Sequence, residues 1–265
     1  VVVQRACHRG AHSRAIATQC ALQDARGTTF HRNQLSTGVR LFDTARREVV
    51  DFTPGNHVKM YVCGVTPYDA THLGHAFTFI TYDVLIRRLM DTGRTVQCVR
   101  NVTDVDDPLF VKARELDMHY LDLAAREEQR LEDDLRALNF VPMASTPRAS
   151  SAIPEIRGFI GMVLERGYAY EAGGSVYFDV TRSDKFGSIS HHDRVKMLEL
   201  ARERGGNVDD PHKRDPLDFV LWQPSAPDEP AWDTMWGPGR PGWHIECSAL
   251  ALRELGTTID LHGGG

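Results

Sequence analysis

At 265 residues, with a net charge of −5, 42% hydrophobic and 25% charged side chains, the chain is long enough to bury a full core and too long for a lone binding module. Its mild acidity excludes a general nucleic-acid coat, so any RNA partner needs a local basic patch. No segment approaches the roughly 18 uninterrupted apolar residues of a membrane span, and five scattered cysteines without a secretory hydrophobic region point to a reducing cytoplasm.

Up to Gln34 the chain has five arginines, a single acidic residue (Asp24) and no apolar periodicity, the composition of a disordered tail over residues 1–35, with an organelle transit peptide as the alternative. "GVRLFDTARREVVDF" predicts a hairpin, Val39 to Phe42 and Glu48 to Phe52, followed by a buried strand from Lys59 to Cys63. Thr66-Pro67 turns the chain. "HAFTFITYDVLIRRLM", His75 to Met90, reads as a packed helix stopped at Gly93, and "TVQCVRNVTD" as the next strand. Strand, helix and strand over this length form a βαβ unit. This assigns residues 36–116 to the first part of a nucleotide-binding domain.

Residues 117–214 read as a mainly helical connective insertion, with charged helical stretches, a strand at "GSVYFDV" and a helix at "DRVKMLELARERGG". From residue 215 to 265 the pattern returns to the first domain, with Trp, Pro and Gly in loops, a helix from Ile245 to Leu255 and a strand at "GTTIDLHGGG". The chain lacks an initiator Met and stops at Gly263-Gly264-Gly265, and so reads as a C-terminally truncated fragment.

His72-Leu73-Gly74-His75 falls between a strand and a helix start. In an α/β sheet that crevice binds nucleotides, because helix N-terminal amides and a close-approaching glycine attract phosphate. Two imidazoles there can donate hydrogen bonds to charge developing on a phosphate; alone, H-x-G-H equally describes two surface histidines near a turn. Cys63 and Cys247 lack the C-x-x-C spacing that announces zinc, and each by itself reads as a small core residue. Asp104, Asp106 and Asp107 fit capping and salt bridging better than a calcium loop, and His191-His192 reads as a solvated pair.

Taken together, "YVCG", "THLGHA", "VRNVTDVDD", "KRDPLDFVLW", "GPGRPGWHIECSALAL" and "DLHGGG" resemble, in order and over most of the chain, the cysteinyl-tRNA synthetase group of class I adenylate-forming enzymes. Within that group the chain is most similar to the mycothiol ligase branch, on three features. Thr66-Pro67 stands where synthetases have Pro-Thr-Val, and Pro108 where they place lysine. "ERGGNVDDP" matches the ligase signature E-R-G-G-D-P, with Asn207 and Val208 in place of its Asp-Pro.

The resemblance implies an α/β fold, the class I synthetase Rossmann-like (HUP) domain split by the insertion. It implies ATP-dependent ligation of L-cysteine, through cysteinyl-adenylate, to the amine of an amino-sugar inositol, with Mg²⁺ accompanying ATP. A zinc ion bound by Cys63, Cys247 and a histidine beyond residue 265 is expected to hold the substrate thiolate. His262, which precedes the glycines, is not that ligand in the family order. Gly64, Val65, Thr66 and Thr103 are implied for the amino acid, Thr78, Asn101, Val102 and Trp243 for the adenylate, and Gly265 for the nucleotide.

His72 and His75 are the implied catalytic pair on the α-phosphate. The implied lysine loop that neutralises pyrophosphate also lies past residue 265, so this chain is expected to be catalytically impaired as it stands. Two alternatives accompany this reading: a cysteinyl-tRNA synthetase fragment, with tRNA as partner, and an inactive zinc-binding fragment.

Overall fold

The computed structural model describes residues 38–264. An antiparallel hairpin, β1 (Val39–Asp43) and β2 (Glu48–Phe52), comes first. A βαβ unit follows, built from β3 (His57–Val65), α1 (Leu73–Asp91) and β4 (Thr95–Val102), its two strands parallel. α1 ends at Thr92, and Gly93 adopts φ 82°, the left-handed conformation that glycine takes without a Cβ penalty. After β4 come α2 (Asp107–Glu115) and α3 (Tyr120–Ala137), which bury Leu109, Ala113, Leu123 and Ala124 against each other.

α4 (Ile153–Glu165), β5 (Ala169–Ala172), β6 (Ser175–Phe178) and α5 (Arg194–Glu203) form the middle of the chain. β7 (Phe219–Gln223), β8 (Arg240–Pro241), α6 (Trp243–Leu255) and β9 (Leu261–Gly263) complete it. β9 returns to the first sheet and lies parallel to β3, giving the order β4-β3-β9. β5, β6, β7 and β8 make a second sheet, antiparallel throughout. The division at residues 214 and 215 thus falls just ahead of a strand, β7, whose hydrogen bonds go back to β6.

Side chains alternate across β3 and β4, and two cores lie on opposite faces of the sheet. Val58, Met60 and Val62 of β3, with Cys98 of β4, join Phe79, Tyr82, Ile86 and Leu89 of α1 and Leu131 and Leu135 of α3. Tyr61 and Val99, at the other parity, join Ile156 and Ile160 of α4, Trp222 of β7 and Ile245 and Leu250 of α6. Burial on both faces is why the centre of β3, Met60 to Val62, is apolar at successive positions.

The acidic run after β4 is spent on structure, in keeping with its sequence reading. Asp106 caps α2, Asp104 accepts from Ser150 N at 2.8 Å, and Asp107 pairs with Arg240. His191 bonds the carbonyl oxygen of Thr44 at 2.9 Å from an exposed position.

Candidate active site

The parity of β3 decides where its cysteine points. Cys63 shares the face of Tyr61, toward α6, and there its Sγ lies 3.9 Å from Sγ of Cys247, which sits on the second turn of α6. β9 pairs with β3 so that His262 stands opposite Tyr61, and the His262 Nε2 reaches 3.6 Å from Cys63 Sγ. Two thiols and an imidazole therefore meet at Cys63.

A tetrahedral zinc with Zn–S of about 2.3 Å and Zn–N of about 2.0–2.1 Å sets neighbouring sulfurs about 3.8 Å apart, and sulfur and nitrogen about 3.6 Å apart. The Cys63–Cys247 pair fits that ion. Among the described residues no group of three His, Cys, Asp or Glu side chains is arranged to hold a metal by itself. His262, excluded from the ligand set on sequence order, is brought against Cys63 by the strand register. The neighbouring Cys63 thiol first, then burial, push the Cys247 thiol far above its ordinary range, so Cys247 would ligate a metal only where the cation offsets its thiolate charge.

Beside the thiols, a short polar chain ties the ends of β3 and β4 together. Gly64 N donates to Asn101 Oδ1 at 2.9 Å, Asn101 Nδ2 to Thr103 Oγ1 at 3.2 Å, and Thr103 N to the Val65 carbonyl at 3.0 Å. Thr66 Oγ1 donates to Asp106 Oδ2 at 3.0 Å. Cys247 Sγ lies 3.8 Å from the same Asn101 Oδ1. Gly64, Val65, Thr66, Asn101, Val102 and Thr103 are thereby gathered at the carboxyl ends of two parallel strands, the crevice in which open α/β sheets take ligands.

His72 and His75 occupy the first turn of α1 and cap it reciprocally. Gly74 N donates to His72 Nδ1 at 3.0 Å, and His72 N donates to His75 Nδ1 at 3.3 Å. An Nδ1 that accepts a backbone proton carries none, so the proton of each neutral ring sits on Nε2. The rings stack with centroids 4.1 Å apart. Burial, then the His72 ring, lower the His75 pKa. The result is a helix N-terminus that presents two neutral Nε2–H donors, a disposition suited to an anion.

Thr78 is exposed on α1, and Trp243, 48% exposed, opens α6 with its ring against His244 at 5.5 Å. Gly265 lies outside the described residues. Two further groups escaped sequence reasoning, His244 and Glu246. His244 keeps an exposed edge, yet the protein packed around it lowers its pKa, with Cys63 pulling the other way. Glu246 is wholly buried and neither carboxyl oxygen has a hydrogen-bond partner. Desolvation, then Asp106 and Asp104, drive it toward the neutral acid. Its sequence signal was a lone acidic residue inside an apolar helix face.

Among the described residues no helix is long and apolar enough to cross a membrane. In comparisons with known proteins, the family model described as "tRNA synthetases class I (C) catalytic domain" matches residues 49–265. The chain is 47% identical over 229 residues to the L-cysteine:1D-myo-inositol 2-amino-2-deoxy-alpha-D-glucopyranoside ligase of Kribbella flavida, covering 86% of this chain and 56% of that one. The protein of the same name from Mycolicibacterium smegmatis is 47% identical over 231 residues, with the same two coverages. The chain thus spans about half the length of the curated relatives it matches.

Among solved structures, Mycobacterium tuberculosis methionyl-tRNA synthetase in complex with methionyl-adenylate superposes with a TM-score of 0.54 at 13% identity, over 79% of this chain and 51% of that one. That likeness supports the fold. With the parallel sheet, the H-x-G-H helix start and the matched family model in agreement, the chain belongs to the class I (C) tRNA synthetase catalytic-domain family.

Proposed function

We propose that the protein is an ATP-dependent, AMP-forming ligase that joins L-cysteine to the amine of 1D-myo-inosityl 2-amino-2-deoxy-α-D-glucopyranoside, the cysteine-adding step of mycothiol biosynthesis. The observation that carries this reading is the pair Cys63 and Cys247, 3.9 Å apart near the end of the strand that leads into the H-x-G-H helix, in a chain 47% identical to ligases of that name. The cytoplasm, where thiols remain reduced, is the proposed location.

In this reading ATP, with Mg²⁺, lies across the carboxyl ends of β3 and β4. His72 and His75 direct their Nε2–H donors at the α-phosphate, where negative charge grows as the cysteine carboxylate attacks and pyrophosphate leaves. Gly64, Val65, Thr66 and Thr103 orient the amino acid, and Thr78, Asn101, Val102 and Trp243 line the adenylate. A zinc ion held by Cys63 and Cys247 would bind the substrate's thiolate, a bond that serine's hydroxyl makes poorly, so that selection rests on bonding where size cannot decide. The acceptor amine then attacks the mixed anhydride carbonyl, forming the amide and releasing AMP.

The test supplies the chain, alone and fused to the remaining segment of the Kribbella flavida ligase, with cysteine, ATP and either the amino-sugar inositol or tRNA. AMP release with the amino sugar supports the ligase. Charging of tRNA replaces it with the synthetase reading that the family's name also covers.

A further inference from the structure

Tyr61 stands at the centre of β3, two residues before Cys63 and on the same face of the sheet. Its side chain is fully buried, in the core it forms with Val99 of β4 and Ile245, Ala249 and Leu250 of α6. The β9 register sets His262 opposite it, and the two rings meet edge to face with centroids 5.3 Å apart. Packing therefore holds the phenol in one place.

Its hydroxyl has no hydrogen-bond partner among the described residues. A buried donor left unpaired is costly, and nearly all such groups in folded proteins are satisfied. Phenylalanine would fill the same space without that cost, so the oxygen needs a reason that the core does not supply.

The reason lies in the α6 layer. Tyr61 extends from the sheet toward that helix, where the Cys247 thiol is near enough to interact with the hydroxyl, whereas Cys63 lies beside Tyr61 on its own strand. A thiol sulfur is a weak acceptor. A sulfur that ligates a cation carries thiolate charge and accepts strongly, and hydrogen bonds to such sulfurs are one of the ways a protein tunes a metal site.

We propose that Tyr61 is a positioning residue of the metal site, whose hydroxyl donates to the Cys247 sulfur when that sulfur ligates a divalent metal ion. The bond holds Cys247 in place beside Cys63 and shares the charge of its thiolate. The inference rests on the reading of Cys63 and Cys247 as metal ligands and does not depend on the acceptor.

The test compares the chain, alone and fused to the remaining segment of the Kribbella flavida ligase, with the Tyr61→Phe variant of each. Co²⁺ is titrated into all four, its affinity is read by competition with a chelator, and the thiolate-to-cobalt absorption is recorded. Urea unfolding is followed with Co²⁺ and with chelator. Tyr61→Phe is expected to bind Co²⁺ about tenfold to a hundredfold more weakly. Its thiolate-to-cobalt band should move to longer wavelength, because a sulfur that loses a hydrogen bond releases its electrons at lower energy. With chelator present the urea midpoint of the variant should equal or exceed that of the wild type, since the change removes an unpaired polar group.

A wild-type band that Tyr61→Phe leaves unchanged in position, with unchanged affinity, overturns the proposal. So does a urea midpoint lowered equally with Co²⁺ and with chelator, which would make the hydroxyl an ordinary bond of the core. Absence of the band from both the wild-type chain and the wild-type fusion refutes the reading of Cys63 and Cys247 as metal ligands, and the proposal with it.

Discussion

At Gly64 a side chain has nowhere to go, because a Cβ would stand 1.6 Å from the Asn101 carbonyl oxygen and 2.8 Å from its carbon. Both obstacles are backbone, so β3 and β4 would have to separate where the amino acid is proposed to bind. Gly64→Ala is expected to cost about 1–3 kcal/mol of stability, the usual penalty of overpacking, read from urea unfolding, and to weaken cysteine binding in calorimetry. The thiols make a second prediction at this scale. Cys63→Ser and Cys247→Ser should each abolish zinc retention after dialysis and the near-ultraviolet thiolate-to-cobalt absorption of a Co²⁺ titration. Equal metal content in either variant refutes the assignment.

At the scale of the element, α1 depends on two imidazoles that cap only when neutral, since protonation of Nδ1 removes the acceptor. The folded-state pKa of His75 is lowered, whereas in the unfolded chain the ring titrates near about 6.5. As pH falls the unfolded state therefore takes the proton first. The contribution is complete above the unfolded value and is lost as pH falls through the folded one. Stability from urea midpoints should accordingly decline from pH 8 to pH 5. His75→Gln retains an N3 partner for the cap without a titrating group, and is expected to flatten that slope. A slope unchanged by His75→Gln would assign the decline to other groups.

For the whole molecule, the sheet is shared by two cores, and the middle of the chain packs on the face opposite α1 through Ile156 and Ile160, with Trp222 of β7 in the same core. No layer can be removed without exposing β3. Thermal unfolding should therefore give coincident transitions by far-ultraviolet circular dichroism and tryptophan fluorescence. Ile156, fully buried, makes the test sharper: Ile156→Ala should cost about 2–5 kcal/mol and shift both probes together. Separate transitions would mean that the insertion unfolds alone.

Much of this was legible beforehand because it is local. The strands at β3 and β4, the helix between them and the H-x-G-H start follow from periodicity, turn residues and capping chemistry within a few positions of one another. The role of β7 was not, because a short apolar run carries no mark of which sheet receives it. By itself the sequence determined β3, α1 and β4, the H-x-G-H helix start and the family motifs. Only the tertiary structure decided that Cys63 and Cys247, separated by 184 positions, meet. It also decided that His262 joins them. The physical reason is that strand register and helix docking are settled by packing between distant segments, whereas alternation and caps are settled where they are written.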